Sequence, residues 1–175
     1  MQVLAEFLGF TSLASSLWNT ISYLAFIAII TGVFWERCRN WLITMGAIVL
    51  AIYAAIFLQN TLLTTLQIVI AISGILQLCR VSRSSAMLTM IGCTIVAYLF
   101  LIFENAIVDD WSFVGSFGLL GIALGLTILP KRDGFLVMAA GGLLLIGYSF
   151  VIGAWVFFFL NIFFFIANLY TWHAS

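Results

Sequence analysis

Residues 61–80 read TLLTTLQIVIAISGILQLCR. The stretch is predominantly apolar and, at about 20 residues, long enough to cross a bilayer as a helix. It nevertheless places an amide, Gln67, a third of the way in. An amide at that depth needs a hydrogen-bonding partner or a wet cavity. Residues 156–172, VFFFLNIFFFIANLYTW, put Leu160-Asn161 where Leu66-Gln67 stands. These two segments are expected to close two equivalent halves of the chain.

The composition sets the class. The 175 residues are 65% hydrophobic and 7% charged, with a mean hydropathy of +1.27, against roughly 25% charged residues in an average soluble domain. An all-α, polytopic protein whose partner is the lipid bilayer follows. The six Lys and Arg balance six Asp and Glu, so nucleic acid is excluded as a partner, because phosphate binding needs clustered positive charge. Cys38, Cys79 and Cys93 lie far apart and the one histidine is His173, a set with neither the converging ligands of a metal site nor a nucleophile and base pair. No metal, no cofactor and no enzymatic reaction are expected. The first residues, MQVLAEFLGFTSLASS, lack a basic n-region and carry Glu6, so they are not read as a cleavable signal peptide; they form either an interfacial helix or an outward extension of helix 1.

Cutting the chain where charged and polar clusters interrupt the apolar runs predicts seven spans: Leu17 to Trp35, Trp41 to Leu58, Thr61 to Leu78, Ser85 to Phe103, Trp111 to Leu129, Gly134 to Ile152 and Trp155 to Thr171. The charges support this cut. Arg37 and Arg39 fall between spans 1 and 2, Arg80 and Arg83 between 3 and 4, Lys131 and Arg132 between 5 and 6. All the basic residues therefore gather on one side, and short cytoplasmic loops are where Lys and Arg collect. The prediction is an N-terminus outside and a C-terminus in the cytoplasm. Most of the tryptophans fall near span ends, as interfacial belts require.

Sliding the chain against itself by 93 to 95 positions brings Trp18 onto Trp111, Arg37 onto Arg132, Gly46 onto Gly141, Tyr53 onto Tyr148 and Gln67 onto Asn161. Identity is thin, but helix count, loop length and loop charge all match. The offset crosses four helices, so the halves run the same way through the membrane, a parallel repeat. The organisation expected is an interfacial segment over 1–16, a first three-helix bundle over 17–80, a linker helix over 81–109 and a second bundle over 110–175.

Three helices, a linker and three helices is the plan of the SWEET sugar transporters and the PnuC vitamin transporters. Residues 30–78, ITGVFWERCRNWLITMGAIVLAIYAAIFLQNTLLTTLQIVIAISGILQL, resemble a first triplet of the PnuC and YgjV kind. They show a basic loop, a Tyr late in helix 2, a two-residue turn, and an amide early in helix 3 before a small-residue stretch. Residues 110–172 resemble a second triplet, LNIFFFIANLYTW being most like the last helix of YgjV-type bacterial inner-membrane proteins. The only proline, Pro130, lies at the end of helix 5, and Leu66-Gln67 is not the Pro-Gln of PQ-loop relatives.

The resemblance implies that Gln67 and Asn161 line a substrate site between the triplets. The alternative is structural: each amide bonds a neighbouring helix, at about 0.6 kcal/mol. Asn168, two turns beyond Asn161, and Gln77, nearly three beyond Gln67, either line a cytoplasmic vestibule or sit wet at the interface. Tyr53 and Tyr148 either contact a solute or pack. Gly115, Gly118, Gly121 and Gly125, with Gly141, Gly142 and Gly147, mark close helix approach. No acidic residue lies mid-span. Together these imply a facilitator for a small neutral polar solute, a sugar or a nucleoside or vitamin, in a bacterial inner membrane. The alternative function is a non-transporting subunit that binds partner membrane proteins, and a homo-oligomer is compatible with either.

Overall fold

The computed structural model describes residues 13–35, 37–128 and 132–174, and among them the fold is wholly helical. Seven helices follow one another: α1 (Leu13–Phe34), α2 (Arg39–Ile56), α3 (Thr61–Leu78), α4 (Arg83–Phe103), α5 (Asp110–Ile128), α6 (Arg132–Val151) and α7 (Trp155–Ala174). The first twelve residues, Glu36, Leu129, Pro130 and Lys131, which the sequence reading assigns to an interfacial segment, loops and a helix end, lie outside the described residues. Five helices, α2, α3, α4, α6 and α7, are long and apolar enough to cross a membrane, with shorter apolar stretches in α1 (Ser16–Gly32) and α5 (Asp110–Leu126). The chain is thus built as a multi-pass membrane protein.

The predicted span over Thr61 to Leu78 coincides with α3, because Asn60 caps it: its Oδ1 accepts from the Leu63 N–H at 2.8 Å, satisfying one of the orphan donors of the first turn. α1 and α7 outrun the apolar runs, whereas α2 ends at Ile56, two residues short of the predicted Leu58. α1 begins at Leu13 and takes in 13–16, where the Ser16 carbonyl already accepts from the Thr20 hydroxyl at 2.7 Å. α7 continues to Ala174, its last turn held by Arg132, whose Nε–H donates to the Trp172 carbonyl at 3.1 Å while the guanidinium lies 4.8 Å from the indole ring. A cation at a helix C-terminus is favoured by the dipole as well.

The tight turns share a left-handed residue, Gln59 between α2 and α3 at φ 49° and Gly153 between α6 and α7 at φ 69°. They close differently: the N–H after Gln59, that of Asn60, reaches back six residues to the Ala54 carbonyl at 3.0 Å, and the N–H after Gly153, that of Ala154, reaches back five to the Ser149 carbonyl at 2.9 Å. Both bonds satisfy orphan carbonyls of the preceding helix.

α5 starts from a reciprocal cap. The Ser112 N–H donates to Asp109 Oδ1 at 2.6 Å, and Ser112 Oγ in turn accepts from the Asp109 N–H at 3.0 Å. Those bonds hold the exposed Asp109 carboxyl below the usual carboxylate range, the Ser112 N–H being the largest cause. A carboxyl whose folded pKa is depressed contributes stability above its unfolded value, near 3.9, and loses it as pH falls through the folded one. Thermal unfolding in detergent is therefore expected to show Asp109→Asn less stable than the parent at pH 6, with the gap narrowing below about pH 4. A gap unchanged at low pH would show that the charge is irrelevant.

Each of α2 and α6 packs against the helices on both sides of it in sequence, while α4 touches α3 and α5 more sparingly. α1 meets α7, and α3 meets α5. The glycine contacts recur at a nearly fixed offset along the chain. A Cβ on Gly46 of α2 would lie 2.9 Å from the Ala25 carbonyl of α1; one on Gly141 of α6 would lie 2.7 Å from the Gly118 carbonyl of α5. A Cβ on Gly32 would lie 3.2 Å from the Arg39 carbonyl, and one on Gly125 2.8 Å from the Gly134 carbonyl. Each partner is 93 or 95 positions from its counterpart, so the α1/α2 and α5/α6 interfaces touch at corresponding places. The closest approach is between α5 and α6, where Gly121 and Gly141 put backbone against backbone. This is the close approach expected of small-xxx-small spacing.

Candidate functional site

A cavity of about 440 Å³ opens where α2, α4 and α6 begin and α3, α5 and α7 end. Its wall repeats itself. Ile70, Ser73, Gly74 and Gln77 of α3 are answered by Phe164, Ala167, Asn168 and Thr171 of α7, each pair 94 positions apart. Asn40 and Ile43 of α2 are answered by Phe135 and Met138 of α6, 95 apart. α4 contributes Arg83, Ala86, Met87 and Met90, and α5 contributes Ile122 and Leu126. The spacings 70, 73, 74, 77 and 164, 167, 168, 171 are one face of a helix, so two equivalent stripes meet across the space.

The polarity changes with depth. At 1.5 Å per residue, Gln77 to Ile70 and Thr171 to Phe164 each descend about 10 Å. On α2, α3, α4 and α7 the charged or polar residue is nearest the mouth, Arg39 and Asn40, Gln77, Arg83, and Thr171 and Asn168. Ile43, Ile70, Met90 and Phe164 lie further in. Two hydroxyl or amide groups of the wall turn back on their own helices: Asn168 Nδ2 donates to the Phe164 carbonyl at 2.7 Å and Thr171 Oγ1 to the Ala167 carbonyl at 2.9 Å.

Of the five residues the sequence nominates, the cavity takes Asn168, and Gln77 of the proposed vestibule stripe joins it. Gln67 and Asn161 lie on the same two stripes, three residues before Ile70 and Phe164, about 4.5 Å past the inner end along each helix. Neither is in the wall. Both are buried, at 1% and 3% exposure. Asn161 Nδ2 donates to the Phe157 carbonyl of its own helix at 2.8 Å, whereas Gln67 Oε1 has no hydrogen-bond partner.

The tyrosines hold the opposite end. Tyr53 donates to Asn19 Oδ1 at 2.6 Å and stacks between Phe57 and Phe157, at centroid distances of 5.3 and 6.3 Å. Tyr148 accepts from Asn60 Nδ2 at 2.8 Å, tying α6 to the turn between α2 and α3. Both side chains are buried and outside the cavity wall. Thus Asn60 ties α6 to the α2/α3 turn and Phe157 ties α7 to Tyr53 of α2 at the end away from the cavity, a role the sequence reading does not give them. Applying the 94-residue offset to Gln77 and Asn168, and not to Gln67 alone, pairs them with Thr171 and Gly74, both of which are in the wall.

No family model matches the chain, and comparison with curated proteins and with solved structures finds no match either.

Proposed function

We propose that the chain is a small membrane transporter, two parallel three-helix bundles joined by the linker helix α4, that moves a small polar solute by alternating access. The observation that carries this reading is the cavity lined by corresponding stripes of α3 and α7, open at one end, while Asn60 to Tyr148 and Tyr53 to Phe157 join the halves at the other. A path open to one side and packed at the other is what one of a carrier's two end states requires. Two equivalent units supply the two halves that rock. The basic ends of the helices face the cytoplasm in this reading, with the N-terminus outside, because Arg39, Arg83 and Arg132 share the cavity end and Lys and Arg collect inside. The bacterial inner membrane and the sugar, nucleoside or vitamin class rest on the resemblance alone.

Ala86 of α4 lines the wall without being fully buried, so Ala86→Trp fills the cavity with little disturbance to packing. Uptake into reconstituted vesicles is expected to fall by about tenfold, equivalent to about 1.4 kcal/mol on the barrier, while Leu99→Trp, at a 61% exposed position of α4, leaves it unchanged. Equal flux through the Ala86→Trp protein would remove the cavity from the path.

The second reading, a non-transporting subunit that binds partner membrane proteins or its own copies, is favoured by one observation. Asn161 bonds its own helix and Gln67 lies outside the wall, so neither amide presents itself to a solute in this arrangement. Absence of protein-dependent flux for every solute tested would select it.

A further inference from the structure

We infer that the occupant of the cavity is amphipathic, a molecule with one polar end and an apolar body of several carbons, held with the body inward against Ile70, Met90 and Phe164. The inference rests on the reading of the cavity as the solute site, and it departs from the sugar that the sequence resemblance implies.

The inner wall is the first ground. Past Ser73 on α3 and Asn168 on α7 it is made, among the described residues, of Ile70, Met90, Ile122, Met138 and Phe164. These belong to the packed interior. Met90, Ile122 and Met138 are 3%, 1% and 4% exposed, and Met90 forms one hydrophobic cluster with Val69, Ala97 and Ala123, against which Leu76 and Leu126 of the wall also pack. The inner end is therefore a gap in the core. A buried water is held by about 2–4 polar partners, and this end offers it none beyond Ser73. An apolar group that displaces such poorly held water gains affinity and gains again from its own burial.

The second ground is how the polar side chains of the wall are spent. Asn168 Nδ2 donates to the Phe164 carbonyl at 2.7 Å and Thr171 Oγ1 to the Ala167 carbonyl at 2.9 Å, each on its own helix. A sugar carries hydroxyls on all sides, every one a donor in need of an acceptor, and those set against the inner end would go unpaired at a cost. A single polar end asks only for the mouth, where Gln77 and Asn168 lie. Size is the third ground. About 440 Å³ is the scale of a small organic ligand, against roughly 30 Å³ for one water. The flexible thioethers of Met87, Met90 and Met138 suit an apolar group of variable shape.

The test uses the full chain in phosphatidylcholine nanodiscs, titrated calorimetrically with N-alkylureas from ethyl to octyl and with glucose, empty nanodiscs serving to subtract partition into lipid. Saturable affinity for the ureas is expected to rise about fourfold with each added CH₂ and to stop rising once the chain fills the cavity. Ala86→Trp should bring that limit to a shorter chain, and Met87→Trp, at a 37% exposed position of the wall, should do the same if the first variant does not fold. Leu99→Trp, on the 61% exposed side of α4, should keep the parent's limit. Glucose that saturates as tightly as octylurea, an affinity indifferent to chain length, or one limit shared by the parent and both wall variants would each overturn the inference. Lipid analysis of the purified protein separates the two sources of such a molecule. A lipid held in equal ratio with the parent chain and lost from Ala86→Trp identifies a lipid, and its absence beside a rising urea series identifies a free solute; both uphold the amphipathic occupant. Vesicle uptake separates this inference from the transport reading. A rising urea series in a protein that carries no solute across vesicles would defeat transport and leave the occupant standing, whereas protein-dependent glucose flux that hexylurea does not inhibit would do the reverse.

Discussion

Replacing Gly141 by alanine is expected to lower the stability of the folded chain by about 1–3 kcal/mol, the range in which overpacking a well-packed site falls. The added Cβ would lie 2.7 Å from the Gly118 carbonyl and 2.7 Å from the Ile122 nitrogen. Both neighbours are backbone, so no rotamer change relieves the contact and α5 must move away from α6. Between helices in a bilayer there is little hydrophobic drive to offset the separation, since lipid is as apolar as the side chains and association depends on close van der Waals packing. The comparison that gives the measurement its meaning is Gly92→Ala. A Cβ there meets nothing within 4 Å, and alanine is the better helix former by about 1 kcal/mol, so this variant should be as stable as the parent or more so. Thermal unfolding in detergent, followed by circular dichroism, reads both. If the two alanine variants unfolded together, the backbone contact between α5 and α6 would be disproved.

Replacing Gln67 by leucine is expected to have the opposite sign. Gln67 is 1% exposed and its Oε1 has no partner, an arrangement that leaves the desolvation cost of the acceptor uncompensated at about 1–3 kcal/mol. Leucine is close in volume and has no such group, so the variant should unfold at a higher temperature, by about 2–4 °C for each kcal/mol recovered in a chain of this size. The consequence for transport follows from position: Gln67 sits one turn beyond the inner end of the cavity, on the stripe that lines it. A solute passing from the cavity toward the Asn60 and Tyr148 end meets this acceptor next. If the polar group is retained for passage, Gln67→Leu gains stability and loses flux together. A variant that was less stable than the parent would mean that the side chain is well bonded in solution, and the case for it as a step on the path would end.

How far the sequence carried the reader depends on the kind of feature. Helix count and type were legible because apolar runs of spanning length are broken by compact charged clusters, and α3 was legible to the residue because Asn60 is a good cap and Arg80 a poor continuation. The extra turn at the start of α1 and at the end of α7 was not, since Thr20 and Thr171 bond their own helices and hide their polarity from a count of apolar residues. The glycine approach could be read because small residues three and four apart have few other uses on a spanning helix. The choice between Gln67 and Gln77 as wall residues could not. Helices apolar all round carry no marker of which face meets protein and which meets lipid, and depth along a shared stripe depends on where the other half is packed. The clustering of Arg39 and Arg83 with the other basic residues bears on topology alone and says nothing about the cavity they border.

The recurrence of one contact, Gly46 on the Ala25 carbonyl and Gly141 on the Gly118 carbonyl, bears on how such a chain drifts. What the two halves hold in common is a separation between backbones, and any residue is acceptable that does not wedge it apart. Substitution is then nearly free over most of a lipid-facing surface and strongly restricted at a few crossing points. The halves can lose almost every shared letter and still keep a common gauge.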